Sequence, residues 1–259
     1  MKKPKGSRYY RDLAVALVKK EIKVRYKSNI LGYAWSILNP LSQALIYLFA
    51  FQYVLKVKID NYVLFLVLGL FPWQWLQNSV IASSVSMIAN ANLVKKTIFP
   101  REFIVFSVVL NDMFHFIISL PVLFLFLFIY RHHVVMNPVL WLLFPVLAII
   151  QMLFIAGLGL LVSSINVFFR DLERLVGILI NFIFYGTPVV YAVTMIPDKF
   201  HFIIYLNPMA LLILNYRNIF LYDTISWGYL WLSLIYGAGV FIIGYTVFNK
   251  LKSRFAEAL

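Results

Sequence analysis

The chain has 259 residues, of which 63% are hydrophobic and 13% are charged, and its mean hydropathy is +0.86. This composition excludes a water-soluble domain, which covers its surface with more charge, and predicts a chain surrounded mainly by lipid. The formal net charge is +13, but ten of the 23 Lys and Arg residues precede residue 31 and most others lie in short gaps between apolar runs. That distribution is typical of membrane orientation and anionic-lipid contact, not of nucleic-acid binding. The chain has no cysteine, which excludes disulfides, thiolate metal sites and cysteine nucleophiles.

The first predicted element is a basic amphipathic helix over residues 8–27. Its apolar positions fall on one face at helical spacing, and its charged positions fall on the other face. The apolar face carries Tyr10, Leu13, Ala14, Leu17, Val18 and Ile22, and the charged face carries Asp12, Lys19, Lys20, Lys23 and Lys27. We expect this helix to lie in the headgroup layer, either as an anchor or as a gate for a lipid-linked substrate.

Six apolar runs follow, each close to the roughly 20 residues that cross the hydrocarbon of a bilayer. We expect membrane spans at 33–55, 62–86, 103–130, 139–163, 174–192 and 228–249, which together form one transmembrane domain over residues 1–259. With both termini in the cytoplasm, 18 of the 23 Lys and Arg residues fall in cytoplasmic segments and five in outer segments. The sequence therefore predicts an all-α polytopic membrane protein with both termini inside.

The stretch 193–227, between the fifth and sixth predicted spans, holds two short apolar pieces at 200–206 and 209–221. Asn207 and Pro208 separate them, and each piece is too short to span a bilayer. We expect a pair of short re-entrant helices that enter the outer leaflet. A loop folded on the membrane surface is the alternative.

Ionisable residues inside the apolar runs are few, and an enzyme is not expected. The sequence contains neither a Gly-Lys dipeptide, which a phosphate-binding P-loop needs, nor the H-E-x-x-H motif. Asp112 is the one clear carboxylate within a span, whereas a Mg²⁺ site needs several. Asp112 and His115 share a helix face, with Asn111 beside them, and Arg217 is a further charge in an apolar piece. The Asn111–His115 group is either a proton relay or gate, as in a secondary transporter, or a polar clasp between helices.

Two predicted cytoplasmic loops combine charged residues with phenylalanine. The first reads NLVKKTIFPRE at 92–102, and the second reads NVFFRDLER at 166–174. The candidate contact residues are Lys95, Lys96, Phe99, Arg101 and Glu102 in the first loop and Phe169, Arg170 and Asp171 in the second. This mixture is typical both of a protein interface and of headgroup anchoring, and the residues alone do not choose between them.

Four motifs, taken in order, resemble those of type-2 ABC exporter permeases of the polysaccharide branch. They are RYKSNILGYAWSILNP at 25–40, KKTIFPRE at 95–102, FRD at 169–171 followed by YGTPVVY at 185–191, and LNPM at 206–209 with Tyr216 and Arg217. Their order and spacing are similar over nearly the whole chain. The resemblance is greatest to O-antigen exporter permeases, followed by teichoic-acid and capsule exporter permeases.

The resemblance implies a homodimeric permease in the bacterial inner membrane, paired with two copies of a separate ATPase subunit. ATP and Mg²⁺ would then be bound by that partner and no cofactor by this chain, and the substrate would be a lipid-linked polysaccharide. On this hypothesis the two charged loops couple to the ATPase, and aromatic rings of the first and fifth spans line the path and stack on sugars. The candidates are Tyr33, Trp35, Tyr47 and Phe51 from the first span and Phe182, Phe184, Tyr185 and Tyr191 from the fifth.

Overall fold

A computed structural model describes residues 6–26, 34–97, 99–130 and 137–259. All regular secondary structure in these ranges is helical, which confirms the all-α prediction. The helices are α1 (Gly6–Tyr26), α2 (Trp35–Tyr47, continued by a π-helical segment at Leu48–Val54), α3 (Tyr62–Ala89), α4 (Ala91–Lys96), α5 (Glu102–Ile129), α6 (Pro138–Trp141), α7 (Phe144–Asn166), α8 (Leu172–Gly186), α9 (Phe202–Leu206), α10 (Pro208–Leu221), α11 (Trp227–Leu251) and α12 (Phe255–Ala258).

Within the described ranges, five helical stretches are long and apolar enough to cross a membrane. They are Ile37–Val54, Tyr62–Ala89, Glu102–Ile129, Pro138–Asn166 and Trp227–Ala258. These stretches coincide with the first four predicted spans and the sixth.

The fifth predicted span, 174–192, is shorter as a helix than expected. Helix α8 has 15 residues and ends at Gly186, and Thr187 is extended, with ψ at 135°. The cause is Pro188, because the ring of a proline disfavours helical backbone in the residue before it. Five helices, rather than the expected six, therefore have the length of a spanning helix in the described chain.

Helix α3 occupies the centre of the bundle. It packs against α2, α5, α7, α8 and α10. Its most apolar stretch is 78% buried, whereas the corresponding stretch of α2 is 11% buried. Helix α3 is apolar on all sides, and the large rings of Trp73 and Trp75 are almost fully enclosed. Lipid can cover a purely apolar helix, but α3 also carries the buried hydroxyls of Ser79, Ser83 and Ser84, which are better placed between helices than against lipid. These polar groups favour its central position.

Helices α7 and α11 pack closely because glycines lie between them. A Cβ atom added at Gly157 would lie 2.6 Å from the Cα of Phe241, and one added at Gly244 would lie 2.9 Å from the carbonyl carbon of Gly157. Both obstacles are backbone atoms, which do not move aside easily. Small residues at such a contact let two backbones approach, as is common between membrane helices.

Helix α10 is enclosed within the bundle by α3, α7 and α11. Its start is specified by Asn207, whose side-chain oxygen accepts hydrogen bonds from the backbone N–H groups of Met209 and Ala210. Pro208 follows at the first helical position, where a missing N–H does no harm. The Asn-Pro pair that separates the two apolar pieces in the sequence is therefore a helix start.

Candidate functional site

Helix α1 is present where the basic amphipathic helix is predicted, and it packs along α5. Leu17 on its apolar face is buried, whereas Lys19 and Lys23 on the opposite face are exposed. The Nζ atom of Lys20 donates a hydrogen bond of 2.6 Å to the side-chain oxygen of Asn90, at the end of α3. The protein itself therefore covers part of the apolar face and fixes α1 beside the α3–α4 junction.

Tyr47 of α2 and Phe184 of α8 bring the two predicted path-lining helices together. Their ring centroids are 5.8 Å apart, and Phe184 also lies 5.3 Å from the ring of Trp73 in α3. Phe51 packs edge-on against Tyr47 at 6.3 Å. Phe184 is buried by these contacts, and Tyr47 and Phe51 are half-buried. These three rings join helices in the present arrangement.

Most of the other candidate path residues in the described chain have exposed rings. Phe182 is 77% exposed, Tyr185 is 67% exposed and Trp35 is 44% exposed. Tyr191 is half-buried, and its hydroxyl donates to the carbonyl of Tyr185 at 2.9 Å. Tyr33 lies outside the described residues. We call these exposed rings of α2 and α8 the aromatic surface, since each has room for a flat apolar group to stack.

Phe182 also lines an apolar pocket of about 340 Å³ beside α8. The other walls come from Trp73 of α3, Phe154 of α7 and Met209 of α10. The pocket therefore connects the aromatic surface of α8 with the turn between α9 and α10.

The charged loops lie together at one end of the bundle, which we call the basic end. They are carried by the described ends of α3, α5, α7, α8 and α11. The basic end comprises a first basic loop at 90–101, a second basic loop at 166–174 and the C-terminal residues 252–259. Lys95 and Lys96 are exposed in the first loop, and Phe169, Arg170 and Asp171 are exposed in the second. These five predicted contact residues are free of the bundle core and available to a partner.

The remaining candidates in the first basic loop, and Glu102 directly after it, face the protein. The guanidinium of Arg101 donates to the backbone carbonyl of Lys252, and Phe99 is half-buried against the core. Glu102 begins α5, where a carboxylate is stabilised by the positive end of the helix dipole. Arg101 therefore ties the loop to the C-terminal segment.

Two asparagines that sequence reasoning missed fix both basic loops to α3. Asn90 donates from its side-chain nitrogen to the carbonyl of Ser86 at 2.8 Å. Asn166 donates to the carbonyl of Ser84 at 2.9 Å and accepts at 3.2 Å from the backbone N–H of Glu173. The position of asparagine at each helix–loop boundary is the signal that predicts such a role.

The polar residues predicted inside the third span lie between helices. Asp112 is 2% exposed, and the hydroxyl of Ser79 donates to its carboxylate at 3.0 Å, which joins α3 to α5. Asn111 and His115 are buried on the same helix. Gln151 of α7, which the sequence analysis did not single out, donates to the carbonyl of Pro72 at 2.8 Å. Its oxygen accepts from the hydroxyl of Tyr216 at 3.0 Å.

Arg217 is fully buried and is held by backbone carbonyls. Its guanidinium donates to Phe65 of α3 at 3.1 and 3.2 Å and to Pro188 and Val189 at 2.5 Å each. The hydroxyl of Tyr62 donates to the next carbonyl, that of Val190, at 2.7 Å. The guanidinium fork matches several acceptors at once, as a lysine cannot. The non-helical segment after α8 is therefore fixed to α3 and α10.

Comparison with known proteins places this arrangement in a family. The family model described as "ABC-2 type transporter" matches residues 13–221. A Klebsiella pneumoniae protein named "O-antigen export system permease protein RfbA" is 47% identical over 253 residues, which cover 97% of this chain and 96% of that protein. A Myxococcus xanthus protein of the same name is 35% identical over 213 residues, which cover 82% of this chain and 81% of that protein. The family match includes α3, α5, α7, α8 and α10, and the chain belongs to the ABC-2 type transporter family.

Proposed function

We propose that this chain is the transmembrane permease subunit of an ATP-driven exporter. It moves a lipid-linked polysaccharide of the O-antigen type from the cytoplasm across the bacterial inner membrane. The observation that carries this proposal is the 47% identity over 97% of the chain to a protein named as an O-antigen export permease.

The energy for transport comes from a partner, since the sequence has no P-loop to bind ATP. Two copies of an ABC ATPase bind ATP and Mg²⁺ and dock on the basic end, which faces the cytoplasm with both chain termini. The exposed charges of Lys95, Lys96 and Arg170 support this docking, because charge at the rim of an interface guides encounter and fixes register.

A second copy of the chain completes the path. Only 11% of the most apolar stretch of α2 is buried, and α8 presents Phe182 and Tyr185 beside it. Two such surfaces that face each other across a two-fold axis enclose a path lined by aromatic rings. Rings of this kind stack on the apolar faces of sugars and tolerate different hydroxyl patterns.

The fifth crossing combines α8 with the non-helical segment 187–191, which forms turns after the helix. The fifteen residues of α8 rise about 22 Å, less than the roughly 30 Å of a hydrocarbon core. The turns of 187–191 cover the remaining depth, so the chain crosses six times.

Helices α9 and α10 then re-enter from the outer side. Tyr216 of α10 and Gln151 meet close to Pro72, about ten residues or 15 Å inside the start of α3. The carbonyls of residues 188–190, which are not bonded within a helix, are satisfied there by Arg217 and Tyr62. Such pairing is what non-helical backbone needs at membrane depth.

The test is export by the permease reconstituted with its ATPase in proteoliposomes that contain the lipid-linked polysaccharide. Lys96→Glu and Arg170→Glu should slow association with the ATPase and slow ATP-dependent export, since reversing a charge at the rim of an interface replaces attraction with repulsion. The matched control is Lys58→Glu, an exposed charge near the opposite end of α3, which should export normally.

The same preparation tests the substrate. Mass spectrometry of the glycolipid that copurifies with the complex should identify an O-antigen-type polymer on a lipid carrier. A teichoic-acid or capsule polymer would reassign the substrate class. Transport that continues without the ATPase would overturn the proposal in favour of a secondary transporter.

A further inference from the structure

Residues 252–259, which we call the C-terminal segment, are fixed to the bundle by a buried ring. Helix α12 is one turn long and has no stability of its own. Yet Phe255 is 0% exposed, with its ring 5.3 Å from that of Phe248 in α11. The buried ring of Phe255 therefore anchors this short helix on α11.

The segment contacts both basic loops. The ring of Phe255 lies 6.2 Å from the ring of Phe168 in the second loop. Helix α12 also packs against α4 in the first loop, and the guanidinium of Arg101 donates to the carbonyl of Lys252. Among the described residues, no hydrogen bond or ion pair joins the two loops directly. The C-terminal segment is therefore a bridge between them.

We propose that residues 252–259 brace the two basic loops into one unit, so that a force on either loop moves both. This proposal rests on the proposed function in one respect, namely that the two loops bind an ATPase. The docking surface then consists of the two loops and the C-terminal segment. The exposed residues of the two loops contact the ATPase, and the C-terminal segment keeps the distance between the loops constant. This assigns Arg101 a positioning role, because its guanidinium is directed at Lys252.

Hydrogen–deuterium exchange on the full-length permease in detergent, without any ATPase, tests the brace. Phe255→Ala should speed amide exchange in both basic loops by about tenfold, since removal of a buried ring raises the population of locally open states. Glu257→Gln changes an exposed residue of the same helical turn and should leave both loops protected. Normal protection of either loop in Phe255→Ala overturns the brace.

A milder variant separates loosening of the brace from general unfolding. Phe255→Leu keeps an apolar side chain but loses the ring contact with Phe168, so it should show the same pattern with a smaller change while α3 stays protected. Loops as protected as in the unmodified chain would overturn the proposal, even if Phe255→Ala unfolds. Because no ATPase is present, this result is independent of the proposed function. Loosened loops together with undiminished ATP-driven export would keep the brace and count against docking at these loops.

Discussion

The guanidinium of Arg217 lies 3.3 Å from the centre of the Phe65 ring while it donates two hydrogen bonds to the carbonyl of the same residue. Phe65 of α3 thus binds the guanidinium of Arg217 both through the face of its ring and through its backbone carbonyl oxygen. A cation on an aromatic face gains more when water is excluded, as it is here. This contact fastens α10 to the first turn of α3.

Arg217→Lys should destabilise the protein strongly. A lysine ammonium cannot reach three carbonyls in the fork geometry, and each buried acceptor left unpaired costs about 1–3 kcal/mol. We expect a lower midpoint of thermal unfolding for the purified permease and faster hydrogen exchange at residues 187–191. Arg174→Lys, at an exposed position, is the control and should behave like the unmodified chain. Equal stability of the two variants would show that the carbonyl cage is dispensable.

Gly244→Ala and Gly239→Ala form a matched pair within α11. The Cβ of Gly244→Ala would meet the backbone of Gly157, so overpacking should destabilise the protein by about 1–3 kcal/mol. Nothing lies within 4 Å of the corresponding atom at Gly239, and alanine is the better helix former by about 1 kcal/mol. Thermal unfolding should therefore show a loss for the first variant and no loss for the second. A tolerated Gly244→Ala would mean that α7 and α11 pack less closely.

Labelling of single cysteines tests the orientation, and the natural chain provides a background without cysteine. Cysteines at Lys96 and Arg170 should react with an impermeant reagent only when it is supplied from the cytoplasm. Those at Lys58 and Lys199 should react from outside, and all four positions are exposed. Outside labelling at Lys96 would contradict the proposed topology and with it the proposed coupling role of the basic end.

The aromatic surface of α2 and α8 predicts a graded loss of export. Tyr185→Ala or Phe182→Ala should each slow export modestly, since one stacking contact contributes about 1 kcal/mol beyond its buried area. The double variant should slow it further. Trp231→Ala on α11, whose ring is 60% exposed, is the control and should export normally at equal abundance in the membrane. A control that is as slow as Tyr185→Ala would place the path elsewhere.

Hydrophobic run length and amphipathic periodicity predict much of this fold. The five long spanning stretches and the amphipathic α1 fall within a few residues of their expected positions, because each is specified by local composition. The shortened α8 was also open to prediction, since Pro188 lies inside the run assigned to the fifth span.

Contacts that depend on distant residues could not be predicted in this way. Phe255 and Phe168 are ordinary residues of apolar or basic stretches, and nothing local indicates that they meet. The exposure of the candidate path residues is similarly non-local, since Phe184 is buried while Tyr185, its neighbour in sequence, is exposed. Which ring faces outward depends on the helix packed behind it, here α3.

The anchoring of α3 also sets an order of events during synthesis. Its first turn is completed by groups 128 to 152 residues further along the chain, at Val190 and Arg217. Until the ribosome has made them, the hydroxyl of Tyr62 and the carbonyl of Phe65 lack their final partners. Helix α3 is apolar enough to enter the membrane early. The central helix of the bundle therefore gains the final contacts of its first turn only after the later residues have been made. A nascent chain that stalls before residue 217 will therefore be inserted but unfinished, and exposed to quality control.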